Sequence, residues 1–122
     1  MQSITTTNPA NGQTIEIFPV HRPEEISQLL ARAEGAQKSW KLVPPGERIA
    51  SLRRLAAILR RDKTKLAALI TREMGKTNAE AEAEVEKCAA CAEFYAESGA
   101  GFLRSIEIKT EARRSLVAFE PI

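Results

Sequence analysis

Strand-type alternation appears only at the two ends of this chain, and everything between them repeats at helical spacing. Ile4 to Thr7 is a β-branched run and Thr14 to Phe18 alternates, while the intervening Asn8-Pro9-Ala10-Asn11-Gly12 is dense in turn residues. Together they predict a β-hairpin. At the other end Ile106 and Ile108 alternate with Glu107 and Lys109, and Leu116 to Phe119 reads as a second strand after a turn over Thr110 to Arg113. An isolated two-stranded hairpin is marginal in water and needs a surface to lie on. Neither hairpin has a sheet to join within the chain, which points to an incomplete fold.

Four helices fill the middle. Pro23 stands at a first helical position with Glu24 and Glu25 in the first turn, and Ile26, Leu29, Leu30, Ala33 and Trp40 follow on one face before Pro44-Pro45 stops the helix. Gly35 inside it costs about 1 kcal/mol relative to Ala. A second helix is expected from about Gly46 to Arg61, with Ile49, Leu52, Leu55, Ile58 and Leu59 on its apolar face. A third is expected from Asp62 to Met74 on Leu66, Leu69 and Ile70, with Gly75 as its stop; the two could be one bent helix. Thr77 and Glu80 have capping-box spacing ahead of a fourth helix, whose narrow stripe is Ala81, Val85, Cys88, Ala92 and Tyr95 and whose end is expected at Gly99 and Gly101. The fold class is therefore mainly α with a β-hairpin at each end.

Composition excludes more than it proposes. Eighteen basic residues against 16 acidic ones give a net charge of +2, too balanced to imply nucleic acid. The start, Met1 to Thr5, lacks the basic and apolar regions of a secretory signal, and no window reaches the ~18 apolar residues of a membrane span. Two cysteines cannot build a disulfide framework, so a cytoplasmic setting is the expectation.

Each candidate motif has a structural reading beside the chemical one. Cys88-Ala89-Ala90-Cys91 has redox or metal spacing, but it sits inside a helix and the single histidine, His21, is far away; two buried packing residues are expected. The basic stretch of Arg53, Arg54, Arg60, Arg61, Lys63 and Lys65 lacks stacking aromatics and reads as a solvated helix face. Glu80, Glu82, Glu84 and Glu86 spread around their helix, and only Glu84 borders the apolar stripe, on the side of Cys88 and Cys91. There a carboxylate could bind a cation or hold an arginine. Gly99-Ala100-Gly101 follows a helix, the wrong context for a dinucleotide fingerprint. No nucleophile, base and orienting group come together in the sequence.

The ordered set of local sequences nevertheless resembles one family. Asn8-Pro9-Ala10-Asn11-Gly12 with its following strand, then Trp40, Arg48, the run Leu66 to Lys76, Glu84-Val85, Phe94-Tyr95-Ala96 and Phe119-Glu120-Pro121-Ile122 are similar, in order and spacing, to the N-terminal part of the α/β aldehyde dehydrogenase fold. The wording Thr71-Arg72-Glu73-Met74-Gly75-Lys76 is most like the succinate-semialdehyde dehydrogenase branch. The resemblance implies a complete enzyme that oxidises an aldehyde with NAD or NADP. In that family a cysteine thiolate attacks the aldehyde, an Asn side chain and a backbone N–H stabilise the oxyanion, hydride passes to the nicotinamide, and a glutamate-activated water hydrolyses the thioester. The motifs carrying those groups are expected beyond Ile122. Catalytic residues and cofactor-binding residues within the chain are therefore none, and a truncated, inactive portion is expected.

What the resemblance assigns here is scaffold. Residues 1–103 correspond to the hairpin and outer helices of the dinucleotide-binding domain, and 104–122 to the start of the oligomerisation arm. Glu84 falls at an acidic position near a monovalent-cation site of some members. Expected partners are the remainder of the dehydrogenase or further copies in a homo-oligomer, with no nucleic acid and no membrane. The alternative is a self-contained helical interaction module without enzymatic activity.

Overall fold

The computed structural model describes residues 2–120; Met1, Pro121 and Ile122 lie outside them, so the expected run Phe119 to Ile122 is followed only to Glu120. Strands β1 (Ser3–Thr7) and β2 (Thr14–Pro19) form an antiparallel pair in which Ile4 faces Phe18 and Thr5 faces Ile17. The turn is made by its asparagines. Asn8 Oδ1 accepts the Ala10 N–H at 2.9 Å, Asn11 Oδ1 accepts the Gln13 N–H at 3.0 Å, and Gly12 takes φ +71°. Asparagine side chains that bond the backbone two residues on, with glycine supplying positive φ, are what such a turn requires. The register slips between Thr6 and Thr7, a bulge that skips Ile15.

Helix α1 (Pro23–Trp40) starts at its proline, and the Glu25 carboxylate accepts the Arg22 backbone N–H at 2.8 Å. That bond, reinforced by the Arg22 side chain, holds the Glu25 carboxyl below its ordinary pKa. Helices α2 (Pro45–Arg61) and α3 (Lys63–Met74) are separate, broken at Asp62 with φ −98° and ψ 13°. Gly75 closes α3 in the left-handed region at φ +71°, where an L side chain is strained. A Cβ there would also meet Pro9 Cγ at 3.0 Å, so Gly75 is where the hairpin turn rests against the α3–α4 corner.

Helix α4 (Asn78–Phe102) has the expected capping box: Thr77 Oγ1 accepts the Glu80 N–H at 3.3 Å, and a Glu80 oxygen accepts the Thr77 N–H at 3.0 Å. Gly99 and Gly101 do not end it; the helix runs through both and its terminal bonds close on Leu103 and Arg104. A glycine costs about 1 kcal/mol in a helix interior but removes no hydrogen bond. The tail pair is shorter than the alternation suggests, β3 (Ile106–Glu107) against β4 (Leu116–Val117), with Ile106 facing Val117.

Packing is concentrated on α4, against α2 and α3. Its buried stripe is Ala81, Val85, Ala89, Ala92 and Ala96. This corrects the expected stripe, because both Cys88 and Cys91 are exposed and Tyr95 is half exposed. At 3.6 residues per turn, a contact line through Ala81 and Val85 reaches Ala89, which leaves Cys88 about 100° away on the helix. Ala56 of α2 and Ala67 of α3 complete the interior, with Leu59 packed against Ala56, Ala89 and Ala92. Small residues let the helices approach closely. The cost is that, among the described residues, no large side chain is fully buried.

Much of the apolar periodicity is unpartnered. Helix α1 buries nothing, and Ile26, Leu30 and Trp40 on its predicted face are 46%, 66% and 46% exposed. Ile4 and Ile17 of the first hairpin are each 61% exposed. The chain exposes 9993 Å² in total. A closed globule of 13.4 kDa exposes about 6,500 Å², so roughly 3,500 Å² more is open here than a finished domain would leave.

Candidate functional site

The groove alongside α4 holds the residue singled out as a cation ligand. Lys76, Glu80, Ala83, Glu84, Lys87, Cys88 and Cys91 line it. Lys76, just past the Gly75 turn, reaches Glu84 across the first turns of α4 and donates from Nζ to Glu84 Oε2. This carboxylate beside it holds the Lys76 ammonium above its ordinary pKa. Glu80 is occupied by the cap: hydrogen bonds from the Thr77 side chain and backbone hold its carboxyl below the usual range. Glu84, Cys88 and Cys91 thus share one face, as their spacing implies, with Glu84 held by an ammonium. Among the described residues no three His, Cys, Asp or Glu side chains come together in a group that could hold a metal.

A second ionic feature joins α2 to α4. The Arg60 guanidinium donates through Nη1 and Nη2 to the two oxygens of Glu93, the latter at 2.8 Å, and through Nε to Glu86 at 2.7 Å. Lys63 Nζ lies 3.9 Å from the other Glu86 oxygen. The paired guanidinium pulls the Glu93 carboxyl below its usual range. Arg60 and Lys63 are therefore not simply part of a solvated face, whereas Arg61 only pairs with its neighbour Asp62. Glu86 and Glu93 are seven residues apart, two helical turns, and so address one point on a neighbouring helix. That spacing was the available signal.

The third feature is apolar. A groove of about 380 Å³ runs where the start of α2 meets the end of α4, lined by Trp40, Pro45, Ile49, Leu52, Tyr95 and Leu103 among others. Arg48 borders it, and its Nε is buried without a hydrogen-bond partner. Phe94 packs edge-on to Tyr95 with ring centroids 5.3 Å apart, close to the same rim. Gly99 and Gly101 lie within α4, so that pair forms no strand-to-helix turn presenting backbone N–H groups to a phosphate.

Comparison with known proteins agrees with this arrangement. Residues 1–122 match the aldehyde dehydrogenase family. The chain is 38% identical over 120 residues to a probable NADP(+) succinate-semialdehyde dehydrogenase of Synechocystis, covering 98% of this chain and 26% of that protein. It is 37% identical over 117 residues to the Deinococcus radiodurans succinate-semialdehyde dehydrogenase [NADP(+)], covering 96% and 24%. Among solved structures, the succinic semialdehyde dehydrogenase of Streptococcus pyogenes, in complex with NADP+, superposes with a TM-score of 0.88 at 32% identity, over 93% of this chain and 25% of that one. Lactaldehyde dehydrogenase from Escherichia coli superposes at 0.82 and 31% identity, over 92% and 23%. The chain spans about a quarter of the length of the relatives it matches, and it belongs to the aldehyde dehydrogenase family.

Proposed function

We infer that this chain is the scaffolding N-terminal quarter of an NADP-using succinate-semialdehyde dehydrogenase, and that on its own it does not turn over aldehyde. The observation that carries the reading is the roughly 3,500 Å² of surface beyond that of a closed globule. Counted on one partner alone, that area is well above the roughly 800 Å² per side of a standard interface. The open apolar faces of α1, of the first hairpin and of the groove beside Arg48 are suited to seating against the remainder of the polypeptide. Substrate and cofactor are taken from the Synechocystis and Deinococcus relatives. On this reading residues 1–103 belong to the dinucleotide-binding half and 104–122 begin an arm through which subunits of a cytoplasmic homo-oligomer join.

The test is immunodepletion of source-cell extract with antibody against this chain, alongside an assay of the pure protein. Depletion removes succinate-semialdehyde-dependent NADP reduction, and the pure protein forms no NADPH. Activity that survives depletion, or turnover by the pure protein, would contradict the reading. The monovalent-cation role of Glu84 rests on its exposed carboxylate in a groove, already holding the Lys76 ammonium in place of such an ion. If it holds, Glu84→Gln in the complete enzyme changes the dependence of activity on K+ or Na+; an unchanged dependence removes it.

A further inference from the structure

The dehydrogenase reading leaves Cys88 and Cys91 without a task, and within this chain neither packs against another helix as their spacing suggests. Both are free thiols and both are exposed. Both line the groove beside Lys76, Glu84 and Lys87. Residues three apart on a helix lie on one face with Cβ atoms about 5–6 Å apart, so two sulfurs can converge on one atom between them. The helix carrying them is anchored along the adjacent line, where Ala89 and Ala92 are buried with Ala56 of α2. The carboxylates at the rim are engaged, Glu84 by Lys76 and Glu80 by Thr77, and no third ligand joins the sulfurs in a metal-holding group among the described residues.

That donor set selects by chemistry. Zinc in a structural site takes four ligands. Soft centres prefer sulfur ligands, and an aryl arsenic(III) completes its three bonds with one carbon and two sulfurs. We propose that Cys88 and Cys91 form a preorganised dithiol site that chelates one soft, thiophilic centre, with trivalent arsenic as its model ligand. With an organic arsenoxide, two S–As bonds form and the As=O bond is lost. The two thiol protons leave with that oxygen as one water. Arsenic stays trivalent and no electrons are transferred.

The test uses the full 122-residue chain with phenylarsine oxide. Intact mass should show one phenylarsenic group per monomer, free thiols should fall from two to none, and far-ultraviolet circular dichroism should be unchanged. The adduct should survive a monothiol wash and be removed by a 1,2-dithiol, the signature of a two-thiol chelate. Cys88→Ser and Cys91→Ser should each abolish the wash-resistant adduct while leaving the helical signal intact. A singly attached adduct that monothiol removes, an arsenic cross-link between two chains, or chelation only with loss of helix would each overturn the proposal.

Discussion

At the scale of single residues, the polar side chains that matter act on backbone ends and on one another. Thr77 and Glu80 satisfy each other's N–H groups at the start of α4. Losing an N-cap hydroxyl costs about 1 kcal/mol, so Thr77→Ala should lower the thermal midpoint of the helical signal, and Thr77→Ser should restore most of it. Arg60 with Glu86 and Glu93 is the pH-sensitive counterpart. The Glu93 carboxyl is depressed in the folded chain by the guanidinium, so its contribution is fully present above the unfolded carboxylate value of about 4.3 and is lost as pH falls through the lower folded value. Asp62, Glu80 and Glu25 are depressed in the same direction. Thermal midpoints should therefore be nearly flat from pH 8 to about 5 and fall below about 4, with Glu93→Gln shrinking the acid-side drop. A drop of equal size in that variant would show that the Arg60 contact does not hold the helices.

At the scale of elements, α4 decides the fold because its neighbours meet it through alanine. Ala89 is fully buried against α2, whereas Ala90 beside it is exposed. Overpacking a closely packed site costs about 1–3 kcal/mol, so Ala89→Leu should lower the melting temperature clearly while Ala90→Leu changes stability by no more than about 0.5 kcal/mol. Equal effects would mean that the α2–α4 contact is looser than drawn. The helices and both hairpins were legible in the sequence because their signals are local: Pro23, the Thr77–Glu80 spacing, the Gly75 stop and the asparagine turn each act within a few residues. The errors lie where longer range decides. The stripe of α4 drifted onto Cys88 and Tyr95 because several alanines and cysteines of similar size offer two adjacent lines, and only the partner helix chooses between them. Gly99 and Gly101 read as stops, but glycine only weakens a helix and the terminal bonds continue to Leu103 and Arg104. The Glu86–Glu93 spacing is visible in the sequence, but it points to Arg60 only once α2 lies beside α4.

At the scale of the molecule, an alanine-lined contact holds α2, α3 and α4 together while α1 and both hairpins keep their apolar side chains in water. Among the described residues no helix is long and apolar enough to cross a membrane. A self-contained interaction module would instead bury its large side chains and present one bounded patch. The relatives are about four times as long as the chain, and on the proposed reading that additional length covers the open faces. The most direct measurement is analytical ultracentrifugation of the purified 122-residue chain with a parallel dye-binding and thermal-melting titration. A part that normally seats against a larger enzyme should bind the hydrophobic dye strongly, self-associate as its concentration rises, and melt over a broad range. A compact monomer with one sharp transition and no dye binding would show that the chain is finished as it stands and would contradict the scaffold reading.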